Sequence, residues 1–251
     1  TKPVFEGSSD FKGTSFHSAE WDHSCDLKGK KVGVIGTGPS AVGFIPKIAE
    51  EVKELIIFQR TPNWILPKPD RKFSNIEKWL LKNMPFFGKL YRYYEYLMSE
   101  RLYFAFFINK NKISSVIERI ISNLTTGFQI KNMSSMYQLG QKMLLDAQIS
   151  DKSLREKLMP DYPVGCKRVI PTNDFFPTLE RENVFLETES IIKFNENSII
   201  TNNGKENNLD VIIYGTGFET NIFISPVKII GLNNKDLDDV WSKGAEAYKG
   251  V

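Results

Sequence analysis

The chain has 251 residues, of which 41% are apolar, and its 33 basic and 30 acidic side chains give a net charge of +3. This length can bury at least one full hydrophobic core, and so small a charge gives no reason to expect a nucleic-acid partner. Two cysteines and two histidines are too few for a disulfide framework and argue against a zinc site. We therefore expect no metal and a reducing, cytoplasmic environment. The sequence also lacks an apolar run long enough to span a bilayer.

The first 29 residues predict a connector, because turn-forming Gly, Pro and Ser are spread through them. Within this segment lies FKGTSFHSAEWD at residues 11–22, which has the pattern F-x-G-x-x-x-H-x-x-x-W-D. His17 and Trp21 are not needed for a core in such a connector. On the residues alone, a surface loop that packs one aromatic ring is the simplest interpretation.

A glycine-rich turn follows the connector. Residues 31–35 form a short β-branched run, which is typical of a buried parallel strand. Gly36, Gly38 and Ala41 then give G-x-G-x-x-A, and apolar residues recur at helical spacing over 42–48. In a strand–turn–helix unit these small residues allow a tight turn, close approach of a pyrophosphate, and packing of the helix on the strand. The pattern predicts a dinucleotide site at the helix N-terminus, with a ligand-free glycine turn as the alternative.

The second predicted strand, ELIIF at 54–58, ends in Gln59, Arg60 and Thr61. In an NAD site an acidic residue binds the ribose hydroxyls roughly 20 residues beyond the glycines. Here an arginine stands near that position and no carboxylate does. Because a guanidinium can bind a 2′-phosphate through two hydrogen bonds, Arg60 indicates NADP. A solvated arginine at a strand end is the alternative.

The region beyond this strand predicts helices until about residue 158, after three prolines between 62 and 69. Its apolar residues recur at i, i+3 and i+4, and they include an aromatic stripe between residues 91 and 106. Charges of both signs interrupt the stripe, which favours packing within a helical insertion over a membrane-facing surface. Strand patterns return at 184–186, 191–194 and 198–201, and LDVIIYGTGF at 209–218 predicts a buried strand that runs into a second glycine turn.

Five blocks together resemble the Baeyer–Villiger monooxygenases, flavoproteins of the wider flavin-containing monooxygenase group. The blocks are FKGTSFHSAEWD, GTGPSA, FQRTPNWILP, GCKRVIPTNDFFPTLERENV and DVIIYGTGF, and they stand in the family's order from residue 11 to 218. The Trp21-Asp22 ending favours this branch over the branch that oxidises amines and sulfur compounds. Gly215 stands where many members have alanine, which is a small departure from the family pattern.

The resemblance implies an α/β fold: a Rossmann-like NADP-binding domain with a helical insertion, plus a partial return to an FAD-binding domain. The expected divisions are a linker at 1–29, the NADP-binding domain at 30–70 and 160–208, the insertion at 71–159, and the partial FAD-binding domain at 209–251. Family members begin with another G-x-G-x-x-G that holds FAD, and they continue into a further C-terminal part. We therefore expect an internal fragment whose missing partner is the FAD-binding half, and which by itself does not catalyse oxygenation.

The resemblance also implies roles for individual residues. The NADP pyrophosphate would be held by Gly36, Thr37, Gly38, Pro39, Ser40 and Ala41. The 2′-phosphate would be bound by Arg60, Thr61 and Lys167. Gly217 would lie where the chain returns towards the flavin, and Arg168 matches the family's active-site arginine. An ion pair of Arg168 with Asp174 or Glu180 is the structural alternative.

The implied reaction uses NADPH and FAD to insert one oxygen atom from O2 into a ketone, giving an ester or lactone. The flavin supplies the difficult chemistry, and Arg168 would be the fixed cation that stabilises an anionic oxygen species. His17 and Trp21 resemble linker residues that couple domain movement to catalysis. Two other classes remain open: a flavin monooxygenase that oxidises nitrogen or sulfur, and a truncated, non-catalytic NADP-binding fragment.

Overall fold

A five-stranded parallel sheet lies at the centre of the computed structural model, which describes residues 2–68, 70–107, 133–217, 227–242 and 244–246. In chain order the strands are β1 (Thr14–His17), β2 (Lys31–Ile35), β3 (Glu54–Phe58), β4 (Ile65–Leu66), β5 (Ile170–Pro171), β6 (Val184–Glu187), β7 (Ile191–Asn195), β8 (Ser198–Thr201), β9 (Glu206–Asn208) and β10 (Val211–Tyr214). The central sheet has the order β1-β10-β2-β3-β6. β4 pairs with β5 in parallel, and β7, β8 and β9 form a separate antiparallel sheet.

The helices are α1 (Pro39–Ile48), α2 (Asn75–Asn83), α3 (Pro85–Phe107), α4 (Met133–Gln148), α5 (Lys152–Leu158), α6 (Phe175–Leu179) and α7 (Leu237–Val240). The predicted α/β class is confirmed, and β2 and β3 have the bounds that the sequence predicts. Part of the helical region predicted to continue until about residue 158, residues 108–132, lies outside the described residues. Within the described ranges, no helix combines the length and the apolarity that crossing a bilayer requires.

Both faces of the central sheet are covered, which explains the continuous apolar runs of its strands. Successive strand residues point to opposite faces. One set therefore packs against α1, α4 and α6, and it includes Val34, Ile57 and Ile213. The other set packs against the antiparallel sheet, with Ile56 and Ile212 beside buried residues of β7 and β8. The sheet is thus the middle layer of three.

Strands β1 and β10 lie outside the ranges predicted for the NADP-binding domain but belong to the central sheet. Residues 14–17, which the sequence assigns to a linker, pair in parallel with β10 along their whole length. β10 itself, predicted to belong to a partial FAD-binding domain, pairs on its other side with β2. The backbone N–H of Lys31 donates to Asp210 Oδ2 at 2.8 Å, which fastens the start of β2 to the residue before β10. Both strands therefore belong to the same sheet as the glycine turn.

The aromatic stripe of α3 is partly exposed among the described residues. The sequence favours its packing within a helical insertion, yet Tyr94 is 54% exposed and Leu97 39% exposed. Tyr91 makes an edge-to-face contact with Phe73, with ring centroids 5.7 Å apart. Helical spacing shows which residues share a face, but it does not show that another element covers the face. In the part of the chain that the structure describes, Tyr94 and Leu97 remain uncovered.

Candidate functional site

The carboxyl ends of four neighbouring strands lie at one edge of the sheet. The pairing places His17 beside Tyr214, Tyr214 beside Ile35, and Ile35 beside Phe58. The segments that follow β10, β2 and β3 therefore leave the sheet side by side. They carry the second glycine turn, the first glycine turn and Arg60 respectively. Ligands of open parallel sheets bind at this edge.

The first glycine turn presents the N-terminus of α1 at this edge. Gly36 has φ +97°, a conformation that side chains with a Cβ rarely adopt. Gly38 is the N-cap of α1, and no side chain caps the helix there. The bond from Val42 N–H to Gly38 O, at 3.0 Å, starts the helical pattern, so the N–H groups of Ser40 and Ala41 have no partner within the helix. Such a helix end favours a phosphate.

The two glycine turns are packed against each other. A Cβ on Gly36 would lie 2.7 Å from Gly215 O, and a Cβ on Gly215 would lie 2.9 Å from the Ala41 Cβ. By contrast, the atom nearest to a Cβ on Gly38 would be Gly215 O at 3.7 Å, so the backbone there is open to a ligand. Small residues are therefore required for packing at 36, 41 and 215. The turn fits the pyrophosphate of a dinucleotide through the open backbone at Gly38 and the N-terminus of α1.

Asn63 ties the first glycine turn to the segment after β3. Its Nδ2 donates to Thr37 O at 2.5 Å and to Thr37 Oγ1 at 3.2 Å. The Thr37 hydroxyl in turn donates to Gln59 Oε1 at 3.5 Å, and Gln59 Nε2 donates to Lys157 O at 3.3 Å. The sequence analysis missed Asn63 and Gln59 as site residues. The only feature of the sequence that could have identified them as site residues is their position in the FQRTPNWILP block.

We expect Asn63→Ala to weaken dinucleotide binding about fivefold, because the Thr37 carbonyl next to Gly38 loses a donor worth about 1 kcal/mol. Calorimetric titration of NADP+ measures the change. Asn83→Ala is the matched control: Asn83 Nδ2 also donates to a backbone carbonyl, that of Trp79 at 2.8 Å, but within α2. The control should bind NADP+ like the wild type. Equal losses in both variants would contradict the role of Asn63.

Arg60 lies at the end of β3, as predicted, and its side chain is exposed. None of the ion pairs formed among the described residues includes it. The carboxylate at the end of the neighbouring strand, Glu187, pairs with Lys205 at 3.1 Å. The charge of Arg60 is thus available to an anionic ligand. Thr61 follows it and is partly exposed.

Tyr162 holds Lys167 close to the segment that follows Arg60. The Lys167 Nζ lies 4.8 Å from the centroid of the Tyr162 ring. The Tyr162 hydroxyl donates to Pro62 O at 2.9 Å, and Trp64 Nε1 donates to Tyr162 O at 3.2 Å. Burial raises the pKa of Tyr162, so its hydroxyl stays protonated and remains a donor at neutral pH. These contacts join the segment of Lys167 to the segment that follows Arg60, a connection that the sequence analysis did not predict.

Arg168, the predicted catalytic residue, is exposed and lies just before β5. The predicted alternative, an ion pair with Asp174 or Glu180, does not form among the described residues. Glu180 instead accepts a hydrogen bond from Ser150 Oγ at 2.5 Å. Arg168 therefore carries a charge that these two carboxylates do not neutralise.

His17 connects β1 to the second glycine turn. Its Nδ1 accepts from Ala19 N–H at 3.1 Å, so Nε2 carries the proton of the neutral ring and donates to Gly217 O at 3.0 Å. Gly217 has φ +81° and is exposed. Trp21 packs edge-on against Phe16 and against Phe44 of α1. The surface-loop interpretation of this stretch is wrong, because His17 is buried at a strand end.

The described residues contain no group of three or more His, Cys, Asp or Glu side chains that could hold a metal ion. An open cleft of about 590 Å³ lies beside α1 and is lined by α1, by Lys68, by residues 70–72 and by residues 170–174. It extends the accessible surface from the glycine turn along the outer side of α1. The predicted site residues lie on the two glycine turns, at the end of β3, and on the segment that leads into β5.

Comparisons with known proteins agree with this arrangement. Residues 1–84 match the family model described as flavin-binding monooxygenase-like. The chain is 40% identical over 249 residues to a Baeyer–Villiger monooxygenase of Pseudomonas aeruginosa, and 34% identical over 248 residues to one of Streptomyces coelicolor. Each alignment covers 99% of this chain but only 43% and 44% of the respective relative. The chain therefore spans less than half the length of these curated relatives.

A solved structure shares the fold. The crystal structure of OTEMO in complex with FAD and NADP superimposes with a TM-score of 0.73 and 27% identity, over 99% of this chain and 50% of that one. The names of the relatives do not favour the alternative of a nitrogen- or sulfur-oxidising enzyme. The resemblance predicted from the five blocks is confirmed: over almost its whole length, the chain is similar to part of a Baeyer–Villiger monooxygenase of the flavin-binding monooxygenase group.

Proposed function

We propose that the chain is the NADP-binding part of an NADPH- and FAD-dependent monooxygenase that inserts one oxygen atom from O2 into a ketone. The observation that carries the proposal is the pair of interlocked glycine turns, with the uncapped N-terminus of α1 between them and the exposed Arg60 beside them. This arrangement suits a dinucleotide with a 2′-phosphate. The relatives named as Baeyer–Villiger monooxygenases, and the solved relative that contains FAD and NADP, support it.

In this proposal the nucleotide lies across the carboxyl ends of β2 and β3. The backbone of residues 36–41 holds the pyrophosphate, with the N–H groups of Ser40 and Ala41 as donors. Arg60, Thr61 and Lys167 bind the 2′-phosphate. Residues 30–70 and 160–208 form the NADP-binding domain around the helical region 71–159, and β1 and β10 complete its sheet.

The chain's own residues bind and orient the reactants, while FAD, when bound, supplies the oxygen chemistry. Arg168 provides a positive charge on an exposed side chain. A charge fixed before the reaction stabilises a developing anion without reorganisation at that moment. Gly217 accepts a hydrogen bond from His17, which fixes the second glycine turn to the end of β1. The flavin-binding half of the protein is the partner that this surface requires.

The proposal is tested with the full-length protein, NADPH, O2 and a matched pair of substrates, a cyclic ketone and a thioether. We expect a lactone from the ketone, with one NADPH consumed per lactone. A sulfoxide without any lactone would instead support the nitrogen- or sulfur-oxidising class. NADP+ binding without formation of either product would show that the protein binds the nucleotide without catalysis, and it would overturn the proposed activity.

A further inference from the structure

We propose that Tyr162 is a positioning residue that makes the site selective for NADP(H) over NAD(H), by placing Lys167 for the 2′-phosphate. The inference rests on the proposed function, but it assigns a role to a side chain that need not touch the nucleotide. Tyr162 acts through the cation above its ring and through the segment to which its hydroxyl is bonded.

These contacts link Lys167, through Tyr162, to the chain segment that follows Arg60. Lys167 Nζ lies 4.8 Å from the centroid of the Tyr162 ring, and the Tyr162 hydroxyl donates to Pro62 O at 2.9 Å. Pro62 is two residues beyond Arg60 along the chain. Lys167 is exposed, and an exposed lysine samples many rotamers that binding must restrict. A ring beneath the ammonium group restricts them in advance.

The backbone around Tyr162 is held mainly by bonds that do not involve its side chain, although the ring also packs edge-on against Trp64, with centroids 6.3 Å apart. Trp64 Nε1 bonds to the Tyr162 carbonyl oxygen, which any residue provides. β4 also pairs with β5, through Ile65 with Ile170 and Leu66 with Pro171. These bonds keep the segment of residues 162–171 against the segment after β3 when the ring is removed. The expected effect of a substitution is therefore on Lys167.

NADP+ and NAD+ differ only in the 2′-phosphate, so an effect transmitted through Lys167 must appear with NADP+ alone. We expect Tyr162→Leu to weaken NADP+ binding about two- to fivefold, the size of a cation–π contact at an exposed site, and to leave NAD+ binding unchanged. Tyr162→Phe keeps the ring and loses the hydroxyl bond, so its NADP+ affinity should lie between those of the wild type and Tyr162→Leu.

The measurement is the affinity of each variant for NADP+ and for NAD+, including Lys167→Ala and the double variant with Tyr162→Leu. In the Lys167→Ala background the loss of Tyr162 should have no further effect on NADP+. Equal losses of affinity for NADP+ and NAD+, or additive losses of NADP+ affinity in the double variant, would show that Tyr162 has only a structural role. Either result would overturn this inference but leave the proposed nucleotide site intact. A wild-type chain that binds neither nucleotide would overturn the proposed function and this inference with it.

Discussion

Arg168→Ala in the full-length protein should lower ester formation by about 100- to 1000-fold, the cost of removing one preorganised stabiliser of a developing anion. NADP+ binding should persist, because Arg168 is not among the residues assigned to the nucleotide. Folding should be unaffected, since the side chain is exposed and pairs with none of the described carboxylates. The measurement is the ester formed per NADPH oxidised, with hydrogen peroxide quantified as the product of uncoupled oxygen consumption.

Arg181→Ala is the matched control for this prediction. Arg181 is also exposed, pairs with none of the described carboxylates, and follows α6 away from the predicted site segments. Its replacement should leave the ester yield at the wild-type value. Arg168→Lys, which keeps a charge without the planar guanidinium, should retain part of the activity. A normal ester yield from Arg168→Ala would show that the residue has no part in the chemistry.

Gly36→Ala should both destabilise the chain and abolish measurable NADP+ binding. The new Cβ would lie 2.7 Å from Gly215 O, on a residue with φ +97°. Backbone strain and overpacking together should lower the free energy of unfolding by about 2–5 kcal/mol. The separation of the two glycine turns would also displace the N-terminus of α1. Urea unfolding and NADP+ titration measure the two effects.

Gly43→Ala is the control within the same helix. A Cβ at this exposed position of α1 would meet no atom within 4 Å. Replacement of a glycine by alanine in a helix interior should raise the free energy of unfolding by about 0.5–1 kcal/mol. A Gly36→Ala variant that is as stable as Gly43→Ala and binds NADP+ would contradict the interlocked arrangement of the turns.

Within the central sheet, the sequence predicts the four strands that have a local signature and misses β1, which has none. β2 and β3 each consist of one charged residue followed by four residues without a polar side chain, and they end at turn-forming or polar residues. Their predicted bounds agree with the structure. β1 contains Thr14, Ser15 and His17, so it has no apolar run. It is a strand because β10, nearly 200 residues later, offers it a parallel edge. Only such long-range pairing could have corrected the predicted linker.

The candidate site likewise contains residues that a short sequence pattern identifies and contacts that it does not. The glycine turn and Arg60 are adjacent in sequence to strands, so a short pattern identifies them. The supporting contacts join distant parts of the chain: Tyr162 bonds to Pro62 across 100 residues, and His17 bonds to Gly217 across 200. Local periodicity contains no information about such pairs. The choice between a solvated and a paired Arg168 likewise required the positions of Asp174 and Glu180.

The preference between NADP+ and NAD+ tests the central claim most directly, by calorimetric titration of the wild-type chain and of Arg60→Ala with both nucleotides. Each charge-assisted contact to a 2′-phosphate contributes about 1.5–3 kcal/mol. The wild type should therefore prefer NADP+ by more than roughly tenfold. Arg60→Ala should lose most of this preference while its NAD+ affinity stays the same. Equal affinity of the wild-type chain for the two nucleotides would contradict the account.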